Sequence, residues 1–489
     1  MAPEAASSRR RLISTYYDTP DLALKRRGLT LRVREQGGRF IQTVKTGDLT
    51  LGADLLRRGE WEDELAENRP DPHASQSGGH LPDGVAGNLQ PLFATDVTRT
   101  TVAIQPVPAT RIEAATDEGV IRAARGDGTE PISEIELELR CGDAATLYDV
   151  AMRLLEVAPI RIEPRSKSER GYRLGEGAAV APPDVHAEPV VLDPAMAVEA
   201  ALQEIGRACL AHLLRNEAAA LAMQPEGVHQ MRVAERRIRS AIAAFKKLLP
   251  AAECRWVSDE LTSLLDILGS ARNLDVFATE LLQRARADLA HEAGLADLTA
   301  ALEGARREAY ARVEHAILSE RHAAGMLRLS HWFEARAWRD AQGEPSPKLA
   351  SPIGELAARL LDRRWREVRK RSKRFGRQTT RQRHKLRIAA KKLRYTIELL
   401  EGLFDPDDVK RFVRRLKRLQ DDLGYANDVR VARDLLPELA KEAVSWRAGV
   451  RVLEWHEKQL AKGARKFRKQ LRRLSRAAPF WRGRKRAGD

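Results

Sequence analysis

Cysteine is scarce in this 489-residue chain, and long apolar runs are missing from it. The three cysteines, Cys141, Cys209 and Cys254, are scattered and form no CxxC pair. That argues against a disulfide framework and a structural zinc site, and it fits a reducing cytoplasm. No stretch approaches the ~18 uninterrupted apolar residues of a spanning helix. No apolar run follows the arginines near the N-terminus, so a secretory signal is not expected either. Basic charge is lacking from one part only. Residues 1–180 hold 24 Lys and Arg against 28 Asp and Glu, a net of −4, and the rest of the chain carries +20. A field of that sign attracts nucleic acid, an anionic membrane surface or another polyanion. With 43% hydrophobic residues the chain can bury proper cores, and its length predicts two to four domains.

Residues 11–174 alternate as short strands, among them Leu29–Val33, Phe40–Lys45, Ile112–Ala115 and Ile132–Leu139, broken by Gly and Asp turns. One helix is predicted from Ala144 to Val157, and residues 66–91 have the composition of a surface loop. The proline-rich stretch 175–194 is a linker that coincides with the change in charge. Helical periodicity then runs over 195–480. A break at 342–352 divides it into halves, 195–340 and 352–480, with Ser351-Pro352 suited to open a helix.

His229-Gln-Met-Arg-Val-Ala-Glu-Arg-Arg-Ile-Arg239 aligns without a gap on His384-Lys-Leu-Arg-Ile-Ala-Ala-Lys-Lys-Leu-Arg394. The same 155-residue offset sets Leu268-Gly269 on Leu423-Gly424 and Asn273 on Asp428, so the helical region is a duplication. At about 100° per residue, His229, Arg232, Arg236 and Arg239 share about 80° of helix surface. His384, Arg387, Lys391 and Arg394 repeat that stripe. A lone basic face is most often a solvated surface. Here the stripe lies beside the core seam, holds no acid and occurs twice, which predicts an anion relieving the repulsion between its charges. Nucleic acid is the lesser alternative, because the basic helices carry no aromatic stacking platform and no DNA-reading motif.

The H-x-x-R-x-x-x-R/K-R/K-x-R helix in each half, with the Leu-Gly segments that follow, resembles the CHAD domain. The resemblance implies two four-helix-bundle halves about a pseudo-twofold axis, with a basic channel that binds inorganic polyphosphate. Its ligands would be His229, Arg232, Arg236, Arg237, Arg239, His384, Arg387, Lys391, Lys392 and Arg394.

Residues 1–174 form the acidic domain. Arg32 and Arg34 share a strand face, as do Glu60 and Glu62, and Glu134, Glu136 and Glu138. If the sheet closes with these rows inward, it makes a tunnel for cations and a phosphate chain. Ser14-Thr-Tyr-Tyr-Asp-Thr-Pro20, Leu31-Arg-Val-Arg34, Arg58-x-Glu60-x-Glu62 and Ser166-Lys167 resemble the CYTH family of triphosphate tunnel metalloenzymes. The resemblance implies an antiparallel β-barrel and therefore a multidomain α+β protein. Triphosphate would be gripped by Arg32, Arg34, Lys45, Arg58, Arg99 and Lys167. Glu60, Glu62, Glu136 and Glu138 would hold Mg²⁺ or Mn²⁺ in an inorganic triphosphatase. That family opens with an E-x-E-x-K strand, whereas Met1–Arg11 has the single glutamate Glu4. The first strand is therefore expected to be missing, so that either catalysis is impaired or the true start lies upstream of Met1 and the triphosphatase is active.

Overall fold

The protein, here a computed structural model, is described over residues 7–46, 59–177, 182–340, 343–373 and 379–482. Two compact units result: residues 1–182 with 326–335, and residues 183–325 with 336–489.

The first unit is built on seven antiparallel strands, β1 (Ser7–Asp18), β2 (Leu29–Gln36), β3 (Arg39–Thr46), β4 (Glu60–Leu65), β5 (Gln90–Val107), β6 (Thr110–Ala123) and β7 (Thr129–Cys141). Their order is β4-β3-β2-β1-β5-β6-β7, so β4 and β7 are the edges and the sheet is open. The closed barrel expected from the opposed charge rows is therefore not formed among the described residues. Alternation decides which face a side chain takes, but closure requires the two edge strands to pair. A short helix, α1 (Ala23–Arg26), follows β1, and α2 (Ala145–Leu155) and α3 (Lys167–Gly175) follow β7.

Two apolar clusters fix the sheet. On one face Leu24 of α1, Leu31, Val44 and Val85 pack together, so the stretch 66–91 contributes to the core and is more than a surface loop. On the other face Leu12, Tyr16, Phe93, Val97, Ile121 and Ile132 receive Tyr172 and Leu174 of α3. Gly171 permits that contact: a Cβ there would lie 2.0 Å from the Phe93 ring. Asp18, 1% exposed, accepts from the backbone N–H groups of Thr19, Leu24 and Lys25 and from the Tyr172 hydroxyl. One buried carboxylate thus satisfies the start of α1 and ties it to α3.

The second unit is helical: α4 (Val198–Arg215), α5 (Glu217–Leu221), α6 (Pro225–Phe245), α7 (Ala251–Asp275), a π-helical turn (Val276–Leu282), α8 (Gln283–Arg286), α9 (Leu295–Ile317), α10 (Glu320–Glu334), α11 (Pro347–Ala350), α12 (Ile353–Ser372), α13 (Thr380–Leu400), α14 (Pro406–Leu439) and α15 (Ala443–Ser475). Helix α10 runs into the segment grouped with the first unit. Helices α4, α6, α7 and α9 pack in sequence, as do α12, α13, α14 and α15, and α6 meets α13. Helix α12 starts one residue later than expected, with Pro352 at its N-cap, while the Ser351 hydroxyl donates to the Lys348 carbonyl. The Val198 N–H donates to the Ser351 carbonyl (2.9 Å) and the Ile353 N–H to the Met196 carbonyl (2.8 Å). Each donor lies 155 residues from its counterpart, as does each acceptor. Such reciprocal bonding is what two copies related by a twofold produce.

Candidate anion-binding sites

In an antiparallel sheet directly opposed residues share a face. The register sets Arg32 opposite Thr43 and Thr43 opposite Glu62, with Lys45 opposite Glu60. Across the other side Arg34 faces Ser14, Ser14 faces Thr95, and Arg99 faces Asp117, which faces Glu134. One face of the sheet thus collects the basic and acidic rows of six strands. Lys45 and Glu60 pair at 2.8 Å, and Arg32 reaches Glu60 at 3.5 Å. The Arg32 Nε is buried without a hydrogen-bond partner. Burial, then Arg32, pushes Arg34 down to about 10, with Arg99 adding to the crowding and Glu62 relieving it.

At the β6–β7 side Arg99 makes a fork to Asp117 (2.7 and 2.6 Å) and reaches Glu136 at 2.5 Å. Lys167, the first residue of α3, pairs with Asp117 (2.8 Å), Glu136 (2.6 Å) and Glu134. Carboxylate oxygens of Asp117, Glu134 and Glu136 come within 4.8 Å of one another. Three hard oxygen donors on adjacent strands are the ligand chemistry that Mg²⁺ and Mn²⁺ favour. Asp117 is fully buried, and although burial alone would raise its pKa, Arg99 and Lys167 hold it below the usual carboxylate range.

In the helical unit the two basic stripes converge where α6 meets α13. Burial, then Arg272, Arg236, Arg232 and Arg394, push His229 down to about 3, so its ring is neutral at physiological pH. Burial, then Arg236, lowers Arg232 to about 10. Burial, then Arg387 and Arg236, lowers Lys391 to about 7, against the pull of Asp428. Arg236 and Arg394 lie over the Tyr395 ring at 5.8 and 5.3 Å. Arg394 also reaches Glu398 and Gln420, and Arg272 pairs with Glu280. Among the described residues Arg236, Arg387 and Lys391 have no hydrogen-bond or ion-pair partner, and the Nε atoms of Arg232, Arg236 and Arg387 are buried and unsatisfied. Part-buried cations without a close counter-charge are costly, and a bound anion would relieve that cost.

Residues 4–172 match the CYTH domain family, and residues 204–437 match the CHAD domain family. The chain carries a CYTH domain followed by a CHAD domain. An inorganic triphosphatase of Haemophilus influenzae is 35% identical over 166 residues, covering 33% of this chain and 45% of that relative, so the chain spans less than half its length. An uncharacterized protein of Mycobacterium tuberculosis is 27% identical over 477 residues, 89% of this chain and 83% of that one. The crystal structure of the CHAD domain from the plant Ricinus communis superposes with a TM-score of 0.53 at 28% identity, covering 61% of this chain and 98% of that one.

Within the CHAD domain the expected ligands separate. Arg232, Arg236, Arg387, Lys391 and Arg394 gather with His229 where α6 meets α13. His384, Lys392 and Arg239 are exposed. Arg237 is 2% exposed and donates to the Glu188 carbonyl at 3.4 Å, away from the stripe. Helical spacing sets angles about one axis, whereas neighbouring elements decide which of those angles is covered.

Within the CYTH domain Arg32, Arg34, Lys45, Arg99 and Lys167 share the polar face, and Arg58 lies outside the described residues. The four expected metal ligands do not form one group. Glu60 and Glu62 stand on edge strand β4, where the Thr43 hydroxyl donates to Glu62. Glu138 pairs instead with Arg140 (2.6 Å). Glu136 is joined by Glu134 and by Asp117, which the sequence analysis missed. Its signal was weak, since a single aspartate beside Glu118 on β6 shows no acidic alternation of its own.

Proposed function

We propose that the CHAD domain, within residues 195–480, binds inorganic polyphosphate in the cradle between α6 and α13. The observation that carries this reading is the convergence of Arg236, Arg387 and Lys391 with no carboxylate in ion-pair contact among the described residues. Arginine presents paired donors to phosphate oxygens and lysine a compact charge. The reciprocal bonds at the starts of α4 and α12 support a duplicated four-helix bundle, whose two halves bring one basic stripe each. The aromatic residues near the C-terminal end offer no nucleic-acid platform in this reading: Trp481 is buried, packs against Trp365 and Phe412 and donates to Asp362.

The CYTH domain, within residues 1–174, is proposed as a triphosphatase-like site for triphosphate or a polyphosphate end. Asp117, Glu134 and Glu136 would hold Mg²⁺ or Mn²⁺, with Glu60 and Glu62 joining only if their edge strand approaches. A bound divalent cation supplies charge for a terminal phosphoryl group and a water of lowered pKa. Arg32, Arg34, Lys45 and Arg99 orient phosphate oxygens, and Lys167 shares the carboxylates with the ion. The scarce, unpaired cysteines support a cytoplasmic protein, and no helix among the described residues is long and apolar enough to cross a membrane.

The test uses the full chain. Polyphosphate affinity should fall at least ~100-fold in Arg236→Ala/Arg387→Ala, with a shallower salt dependence. Unchanged affinity would sink the cradle. Separately, phosphate release from tripolyphosphate is measured with Mg²⁺ or Mn²⁺. Release that disappears in Asp117→Asn supports catalysis, and no release with either ion leaves a binding domain.

A further inference from the structure

Tyr395 stands at the centre of the cradle. It is 4% exposed, and the Arg236 and Arg394 guanidinium groups lie over its ring from α6 and α13 respectively. Long side chains on a helix lean back toward its N-terminus. The Tyr395 hydroxyl accordingly lies on the side of Arg387, two turns earlier, and it acts electrostatically on both Arg387 and Arg232. Three other tyrosines in the chain hydrogen-bond through their hydroxyls: Tyr172 with Asp18, Tyr310 with Asp275 and Tyr425 with His456. Tyr395 has no such partner among the described residues, and its hydroxyl, unlike its ring, is not fully enclosed. A hydroxyl that opens into the cradle can donate to a group bound there. The Arg236 and Arg394 guanidinium groups over its ring cannot accept from it.

We propose that Tyr395 is a phosphate-contacting residue of the cradle, its hydroxyl donating to an oxygen of the bound chain while its ring spaces the Arg236 and Arg394 guanidinium groups. This rests on the cradle reading above. The residue lies outside the duplicated pattern, since the position 155 residues earlier is Ser240. The two halves therefore offer the polymer unequal contacts, an aromatic donor from one and a small hydroxyl from the other. The contribution is also of a different kind from that of the arginines. A neutral donor adds a directed, charge-assisted bond to phosphate without releasing a counter-ion.

That difference gives the test. Binding of medium-chain inorganic polyphosphate to the full chain is measured across a potassium chloride series for the unsubstituted protein, Tyr395→Phe, Tyr395→Leu and Arg236→Ala. Tyr395→Phe keeps the ring and should weaken binding roughly tenfold at every salt concentration, leaving the slope of log K against log salt unchanged. Arg236→Ala should flatten that slope by about one. Tyr395→Leu should bind more weakly than Tyr395→Phe, because the spacing of the guanidinium groups is lost as well. An equal melting temperature for Tyr395→Phe separates the lost contact from a folding defect. If Tyr395→Phe binds like the unsubstituted protein, or flattens the slope as Arg236→Ala does, the donor role is overturned while the cradle stands. Absence of binding by the unsubstituted protein overturns the cradle and the tyrosine contact together.

Discussion

The free cradle titrates near neutrality, so its grip on a phosphate chain should weaken as pH rises. Lys391 is the group responsible. Burial, Arg387, Arg236 and Arg394 bring its ammonium down to about 7, with Asp428 opposing. A bound polyanion favours the charged form, so binding above that pH draws in a proton. Affinity then follows the protonated fraction of the free cradle, which falls about 30-fold between pH 6 and pH 8.5 for a group titrating near 7. Isothermal titration calorimetry in buffers of different ionisation enthalpy reads both the affinity and the proton taken up. Lys391→Arg, which keeps its charge over this range, should flatten the profile to within about threefold and remove most of the proton uptake. A Lys391→Arg profile as steep as that of the unsubstituted protein would refute the assignment. The ligand-free fold should respond with the opposite sign. Between about pH 7 and the unfolded-state value near 10.4, the unfolded chain binds the proton that native Lys391 has lost, so this group makes stability rise with pH.

Three further outcomes are expected. Glu235 is fully enclosed with both carboxylate oxygens unpartnered, and burial raises it to about 8 against the pull of Arg232 and Arg236. Its contribution is present below about pH 4.3 and is lost as pH rises toward 8, so Glu235→Gln should raise the melting temperature at pH 8 but not at pH 4. Gly171→Ala forces a methyl group into the fully buried Phe93 ring. It should destabilise the CYTH domain by about 1–3 kcal/mol in urea unfolding, despite alanine's better helix propensity. Asp18→Ala strands the N–H groups of Leu24 and Lys25 and the Tyr172 hydroxyl, and a loss of about 2–4 kcal/mol is expected in the same assay. A loss under about 0.5 kcal/mol would mean water replaces the carboxylate.

Alternation along Leu29–Val33 and Ile132–Leu139, and the 155-residue register of the histidine-headed helices, are local properties. Spacings of two and 3.6 residues fix which side chains share a face whatever surrounds them, so the strands, the helices and both charged stripes were legible in the sequence. Convergence is a long-range property. His229 and His384 occupy equivalent positions, yet one is pressed among four arginines and the other faces solvent, because α6 is covered there and α13 is not. Asp117 enters a carboxylate group only because β6 lies between β5 and β7, which sets it against Arg99 and Glu134. Tyr395 becomes central only where α6 crosses α13. The sequence by itself determined which residues stand on one face. The tertiary structure alone decided which faces meet, because side-chain spacing is set within an element and burial is set between elements.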